Sequence, residues 1–223
     1  MPGKRQCALE QLLSCAGKVS HKTLKFPKAE GVAESDLKSE IECVYQKLGG
    51  ILPSIPLNLS HWDTEFDGIA VELDEELHFN RYRTDTLKFA IYQRLLPRFP
   101  LDAYQRYCSE HEDNCLRRSH GGYWTSPSCE EQFGLASPLR DLNGNGSPRW
   151  KQRAFYDFVK DLSPLLIGVK VVRVAVWDVL MIAEQAKPVG KILDALIRES
   201  TPTACREASS VALTALVKER AAD

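Results

Sequence analysis

The sequence predicts an α/β fold of the α+β kind, a mixed β-sheet flanked by helices with a loop-rich insertion and C-terminal helices. Three observations carry that expectation. Asp67-Gly68 is the strongest short hairpin signal in the chain, because a type I′ turn needs positive φ at both central positions. The run VKVVRVAVWD at 169–178 is rich in β-branched residues and reads as a buried strand. Between them, KQRAFYDFVKDLSPLL at 151–166 places Ala154, Phe155, Phe158, Val159 and Leu162 at helical spacing, an apolar face that should lie against the sheet.

In chain order, residues 6–16 and 35–48 read as helices. The second carries Ile41, Val44, Tyr45 and Leu48 on one stripe, with Ser35 as its N-cap and Gly49-Gly50 as its end. Pro53 and Pro56 mark an extended approach to the hairpin. A first strand is expected at 57–63 and a second at 69–75. Residues 81–97 are helical by period, with Leu87, Ile91 and Leu95 on one side and Pro97 closing the segment. From about 98 to 149 cysteines, histidines, Gly121-Gly122 and Asn143-Gly-Asn-Gly-Ser-Pro148 indicate an insertion with little regular structure. Two amphipathic helices, about 188–199 and 203–220, finish the chain. Their apolar faces cover the sheet or a second copy of the chain, which leaves a homodimer open.

Counting outward from the turn pairs Phe66 with Ile69, Thr64 with Val71, and Asp63 with Glu72. Cross-strand partners have Cβ atoms roughly 5 Å apart, and Asp74 follows Glu72 on the same face at about 6.6 Å. Ile69, Val71 and Leu73 then point into a core. Two carboxylates about 6 Å apart repel by about 3 kcal/mol at an effective dielectric of 20, so the cluster raises a pKa, splays, or binds a cation. Hard oxygen ligands in an incomplete cage suit magnesium, or manganese, completed by a substrate phosphate. A solvated acidic hairpin is the plain alternative, since Glu75 and Glu76 continue the charge run.

At 223 residues the chain is long enough for one domain with a real core. Its net charge of −1 argues against a generally basic coat, so contact with nucleic acid needs a local patch. Candidates are Arg81, Arg83 and Lys88, the pair Arg117-Arg118, and Arg149, Lys151 and Arg153. No apolar run approaches a membrane span, and MPGKRQCALEQLLSC lacks a signal-peptide core, so a cytoplasmic protein is expected. Seven scattered cysteines do not form a secreted disulfide framework. Cys108, His111, Cys115 and Cys129 are all zinc-binding types, with His120 as a substitute for His111, and structural zinc could replace a core in the insertion. Unlinked thiols are the simpler reading.

Helix, hairpin with Asp and then Glu-x-Asp, helix, buried strand: this order resembles the PD-(D/E)XK nuclease superfamily. Within it, VELDEELHF (71–79) is similar to the very-short-patch-repair endonuclease-like branch, as is KQRAFYDFVKDLSPLLIGVKVVRVAVWDVL (151–180) to that branch's closing helix, glycine turn and strand. The matched pieces cover roughly 35–80 and 150–180. The resemblance implies a restriction-endonuclease-like core and magnesium-dependent cleavage of a nucleic-acid phosphodiester. It makes Asp63 and Glu72 the metal-binding acids and sets Asp74 where many members carry a lysine, with Glu75 replacing the branch's glycine. His78 then becomes a candidate to aid the reaction. Gln152-x-x-x-Tyr156 resembles the Gln-x-x-x-Tyr helix motif of exonuclease-type members, and its spacing puts both side chains on one helix face. Lys151 is a candidate for the missing cation. Glu40 and Glu42, where the superfamily often adds an acid, read as solvent-facing.

Three functions follow: a metal-dependent nuclease acting on nucleic acid, DNA first; a catalytically inactive nuclease-fold protein that binds nucleic acid or assembles; and an unrelated protein-interaction domain.

Overall fold

Asp67 and Gly68 both adopt positive φ, 48° and 81°, and the hairpin closes in the expected register. The computed structural model describes residues 3–198 and 201–222. Its elements begin with α1 (Lys4–Ser14), β1 (Val19–Ser20), α2 (Ala29–Ala33) and α3 (Lys38–Lys47). The hairpin strands are β2 (Thr64–Phe66) and β3 (Ile69–Asp74). Then come α4 (Arg81–Leu87), α5 (Leu101–Arg118), α6 (Pro127–Phe133), α7 (Pro148–Asp161), α8 (Ser163–Leu166) and β4 (Val171–Ala175). A small hairpin, β5 (Val179–Ile182) and β6 (Gln185–Pro188), leads to α9 (Val189–Ile197) and α10 (Thr203–Ala221). Mixed sheet and flanking helices are therefore as the sequence predicts.

The main sheet has the order β1-β2-β3-β4. Phe66 pairs with Ile69 and Thr64 with Val71. β4 runs parallel to β3, from Ala70 opposite Val171 to Asp74 opposite Ala175, and α7 lies in the crossover that such a pair requires. The strand expected at 57–63 does not form, and regular pairing starts at Thr64. In its place side chains finish the hairpin: Asp63 N donates to Glu72 Oε1 (3.2 Å), and Leu73 N donates to Asp63 Oδ2 (2.9 Å).

Ile41, Val44, Tyr45 and Leu48 are buried as expected, while Glu40 and Glu42 are exposed. Ser35 does not cap α3; Leu37 holds the cap position and Ser35 Oγ donates to Val32 O. The helix expected over 81–97 stops after Leu87 and resumes as a 3-10 segment over Ala90–Leu95. Thr84 and Thr86 hydroxyls donate back to Asn80 O and Arg83 O, the local competition that makes threonine a poor helix interior.

The insertion is more regular than its composition suggests. It opens with the 18-residue α5, whose Leu101, Tyr104, Tyr107, Cys108 and Cys115 are buried. Cys115 joins Trp124 and Trp150 in a small second core, the two indoles meeting edge-on at 5.3 Å.

α7 departs from expectation in orientation. Phe155 packs on Tyr45 of α3 (5.2 Å) and Phe158 near Tyr92 (6.0 Å), so its apolar stripe meets helices. The side chains it turns to the sheet are Asp157, Lys160 and Asp161. α9 and α10 pack on α1, and α10 also on β4 and β5. Among the described residues no helix is long and apolar enough to cross a membrane.

Candidate functional site

A cavity of about 240 Å³ opens between the hairpin and α7. Asp63 and Glu72 come from the hairpin and His78 from the turn after β3. Apart from Leu59 and Ser60, the other lining side chains lie on one stripe of α7: Arg149, Gln152, Arg153, Tyr156, Asp157 and Lys160. Their spacings of three and four residues put them on a single helical face.

Lys160 Nζ donates to Glu72 Oε1 (2.8 Å) and to His61 O (3.3 Å), and stands 5.3 Å from the Trp62 ring centre. Burial pushes the Glu72 carboxyl up to about 7, against the pull of Lys160. Burial also raises Asp63, opposed by the Leu73 amide and Lys160. Both are therefore short of positive charge. Glu72 Oε1 and Asp63 Oδ2 are engaged by the contacts above, whereas Glu72 Oε2 and Asp63 Oδ1 have no hydrogen-bond partner among the described residues.

Behind this pair lies a buried ionic cluster. Asp74 accepts from Arg173 Nη1 (2.7 Å) and from the Tyr104 hydroxyl (2.7 Å). Arg173 also donates to Asp157 (3.0 Å) and to Asp161 (2.7 Å), which in turn accepts from Arg83 (2.6 Å). His78 Nδ1 lies 2.7 Å from Asp157 Oδ2 and 3.2 Å from Asp74 Oδ1. Burial works against ionised Asp157, but His78 and Arg173 outweigh it and hold the group well below the usual carboxylate range. Asp74, His78 and Asp157 present ligand atoms all within 4.8 Å of one another, so this buried group could bind a metal ion.

Of the residues singled out from sequence, Asp63, Glu72, His78, Gln152 and Tyr156 meet at the cavity, as do Arg149 and Arg153 of the basic patch. Asp74 is one layer deeper and already neutralised by Arg173, so it is not a third open ligand beside Asp63 and Glu72. Lys151 does not reach the acids; its ammonium bonds Asn145 Oδ1 and lies toward Gly49, because it falls off the polar stripe of α7. The ammonium that meets Glu72 is that of Lys160.

The zinc set does not assemble. Cys108 is in the main core, Cys115 in the tryptophan cluster, and Cys129 Sγ lies 3.3 Å from Gln152 Oε1. His111 stacks on Trp177 with ring centres 3.8 Å apart. Burial pushes the Cys108 thiol up to about 11 and Cys115 up to about 12, which disfavours the thiolate that zinc needs. Among the described residues, Asp74, His78 and Asp157 form the one three-residue group of metal-binding type. Arg118 is tied to Glu76 (3.0 Å) and Arg117 to Asn114, so that pair does not overhang the acids as free cations.

Residues 43–195 match the model of a family of unknown function, DUF7255, and the chain belongs to that family. The matched span contains every cavity residue named above. No curated protein and no solved structure matches the chain.

Proposed function

We propose that this member of the DUF7255 family is a divalent-cation-dependent nuclease hydrolysing phosphodiester bonds of nucleic acid, DNA first. The observation that carries the reading is the convergence of two charge-deficient carboxylates, Asp63 and Glu72, with Lys160 in one cavity. The order of hairpin, crossover helix and parallel strand supports it further, as does the arrival of Gln152 and Tyr156 at the same place.

The site fits a magnesium or manganese ion, because one oxygen of each carboxylate is open and burial raises both groups, a cost that a bound cation would offset. Asp63 and Glu72 would hold the ion, which would polarise the phosphate and acidify a bound water. Lys160, fixed by Glu72 and the His61 carbonyl, would set its side-chain nitrogen beside the phosphate. Asp157 stays ionised and, 2.7 Å from His78 Nδ1, orients the imidazole for the part in proton transfer that the reading gives it. Arg173 holds Asp157 and Asp74 in place for that role.

The test is magnesium or manganese titration followed by thermal unfolding, since an ion bound by the native state alone raises Tm. It is joined to cleavage assays on plasmid, linear and single-stranded DNA and on RNA. Cleavage that is lost in Asp63→Asn and Glu72→Gln, with the fold retained, is the expected result; full activity in either variant at saturating metal would sink the reading. A second reading, a nuclease-fold protein that binds nucleic acid without cutting it, is favoured by Asp74, which stands at the strand-lysine position and is locked to Arg173. Binding without cleavage by the wild type on all these substrates would select it.

A further inference from the structure

The arginines buried or half-buried around the sheet and α7 differ in how their charge is met. Arg5, Arg81, Arg83, Arg173 and Arg220 each pair with a carboxylate at 3.0 Å or less. Arg149 and Arg153, one turn apart on α7 and both lining the cavity, form no salt bridge among the described residues. Arg149 Nη1 donates to Gln152 Oε1 (2.6 Å), and its Nε is buried with no partner. Among the described residues Arg153 donates only to Leu77 O, from Nη1 (3.3 Å). Burial pushes the Arg153 guanidinium down, and neighbouring Asp157 does not offset it. Leaving a charge half-dehydrated and unpaired is unfavourable unless something brings the opposite charge.

We infer that Arg149 and Arg153 are a phosphate clamp, two positioning residues that hold a nucleic-acid phosphate in the cavity with its remaining oxygen turned toward Asp63 and Glu72. The chemistry of the two walls selects the ligand. Guanidinium forks match the paired oxygens of phosphate, and two forks one turn apart can share one tetrahedral group. A carboxylate ligand would satisfy the arginines but leave nothing for the acidic wall. A phosphate still presents an oxygen there, where a cation can bridge it to the carboxylates. The volume of about 240 Å³ admits one phosphate-bearing unit of a single strand. That the phosphate belongs to nucleic acid rests on the nuclease reading; that the cavity binds phosphate does not.

The experiment separates the two. Binding of a fluorescent single-stranded 12-mer DNA is followed by anisotropy in EDTA, where no cleavage can occur, over a range of salt, with inorganic phosphate as competitor. Wild type, Arg149→Gln, Arg153→Gln and Arg153→Lys are compared after thermal unfolding confirms their fold. Each Gln variant should bind about 10-fold more weakly, with the slope of log affinity against log salt reduced by about 0.7 per arginine removed. Arg153→Lys should keep the salt slope while losing part of the affinity, because the charge stays and the fork goes. The magnesium-induced rise in Tm should be unchanged in all three. Folded Gln variants that bind like the wild type with the same slope overturn the clamp, as does a wild type that binds no oligonucleotide or that phosphate does not compete. If both Arg153 variants misfold, partly exposed Arg149 decides alone. A wild type that binds in this arginine-dependent way but cleaves nothing in magnesium removes the nuclease reading and leaves the clamp standing.

Discussion

Glu72 is the residue whose protonation should be visible in the stability of the whole protein. Its folded pKa of about 7 lies above its ordinary value of 4.5, so in chelated protein the folded state favours the protonated form. The stabilising contribution is complete below about pH 4.5 and is lost as pH rises through about 7, on the order of 3 kcal/mol across the window. Glu72→Gln does not titrate there. The Tm of wild type minus that of the variant should therefore fall between pH 5 and pH 8 in EDTA and recover on adding magnesium at pH 8; a flat difference would contradict the assignment. Val71, wholly buried behind the same strand, gives the opposite kind of variant: Val71→Asp should unfold the protein at neutral pH, as circular dichroism would record. At this scale Asp63 and Glu72 were legible because a two-residue turn fixes register. Lys160 and Asp157 were not, because their contacts with Glu72 and His78 span 88 and 79 residues of sequence. Asp74 was placed on the correct face, but nothing near it in sequence announced that Arg173 would neutralise it.

Among the elements, α7 carries the most. Its apolar period identified it as a helix, and the same period, read on the polar side, collects Arg149, Gln152, Arg153, Tyr156, Asp157 and Lys160; Gln152 and Tyr156 were legible as a motif and Arg149 and Arg153 as a basic patch, whereas Asp157 and Lys160 of the same stripe were not drawn from the sequence. Ser147 sets the start of this helix, accepting from Trp150 N (3.1 Å) and donating to Trp124 O (2.6 Å). Ser147→Ala should destabilise by about 1–2 kcal/mol in urea unfolding. DNA binding in EDTA should weaken with it, because the first two turns carry both cavity arginines. α5 escaped notice because its buried stripe is built of tyrosine and cysteine rather than aliphatic residues. The β5–β6 hairpin escaped for a different reason: its turn residues, Ala183 and Glu184, take positive φ of 47° and 65° without being glycine, asparagine or aspartate.

Over the whole molecule, a buried ionic network ties sheet to helices where an apolar core would be the simpler solution. Arg173 alone meets Asp74, Asp157 and Asp161. Arg173→Met should destabilise by about 3–5 kcal/mol, because three buried carboxylates lose their shared cation. Denaturant unfolding measures it, and a loss below about 1 kcal/mol would mean the acids relax to solvent. Fold class was legible at this scale because hairpin, helix and β-branched strand each announce themselves locally; the ionic network was not, since it exists only once the crossover has closed. That closure has a consequence for how the protein is made. Asp74 and Arg173 are 99 residues apart, so at roughly 5–20 residues per second the ribosome delivers the arginine on the order of 5–20 seconds after the aspartate. Through that interval β3 has an unpaired edge and acids without their cation, a surface open to strand pairing with other chains. A nascent chain arrested before residue 171 should accordingly depend on chaperones to stay soluble, and one released after β4 has emerged should not.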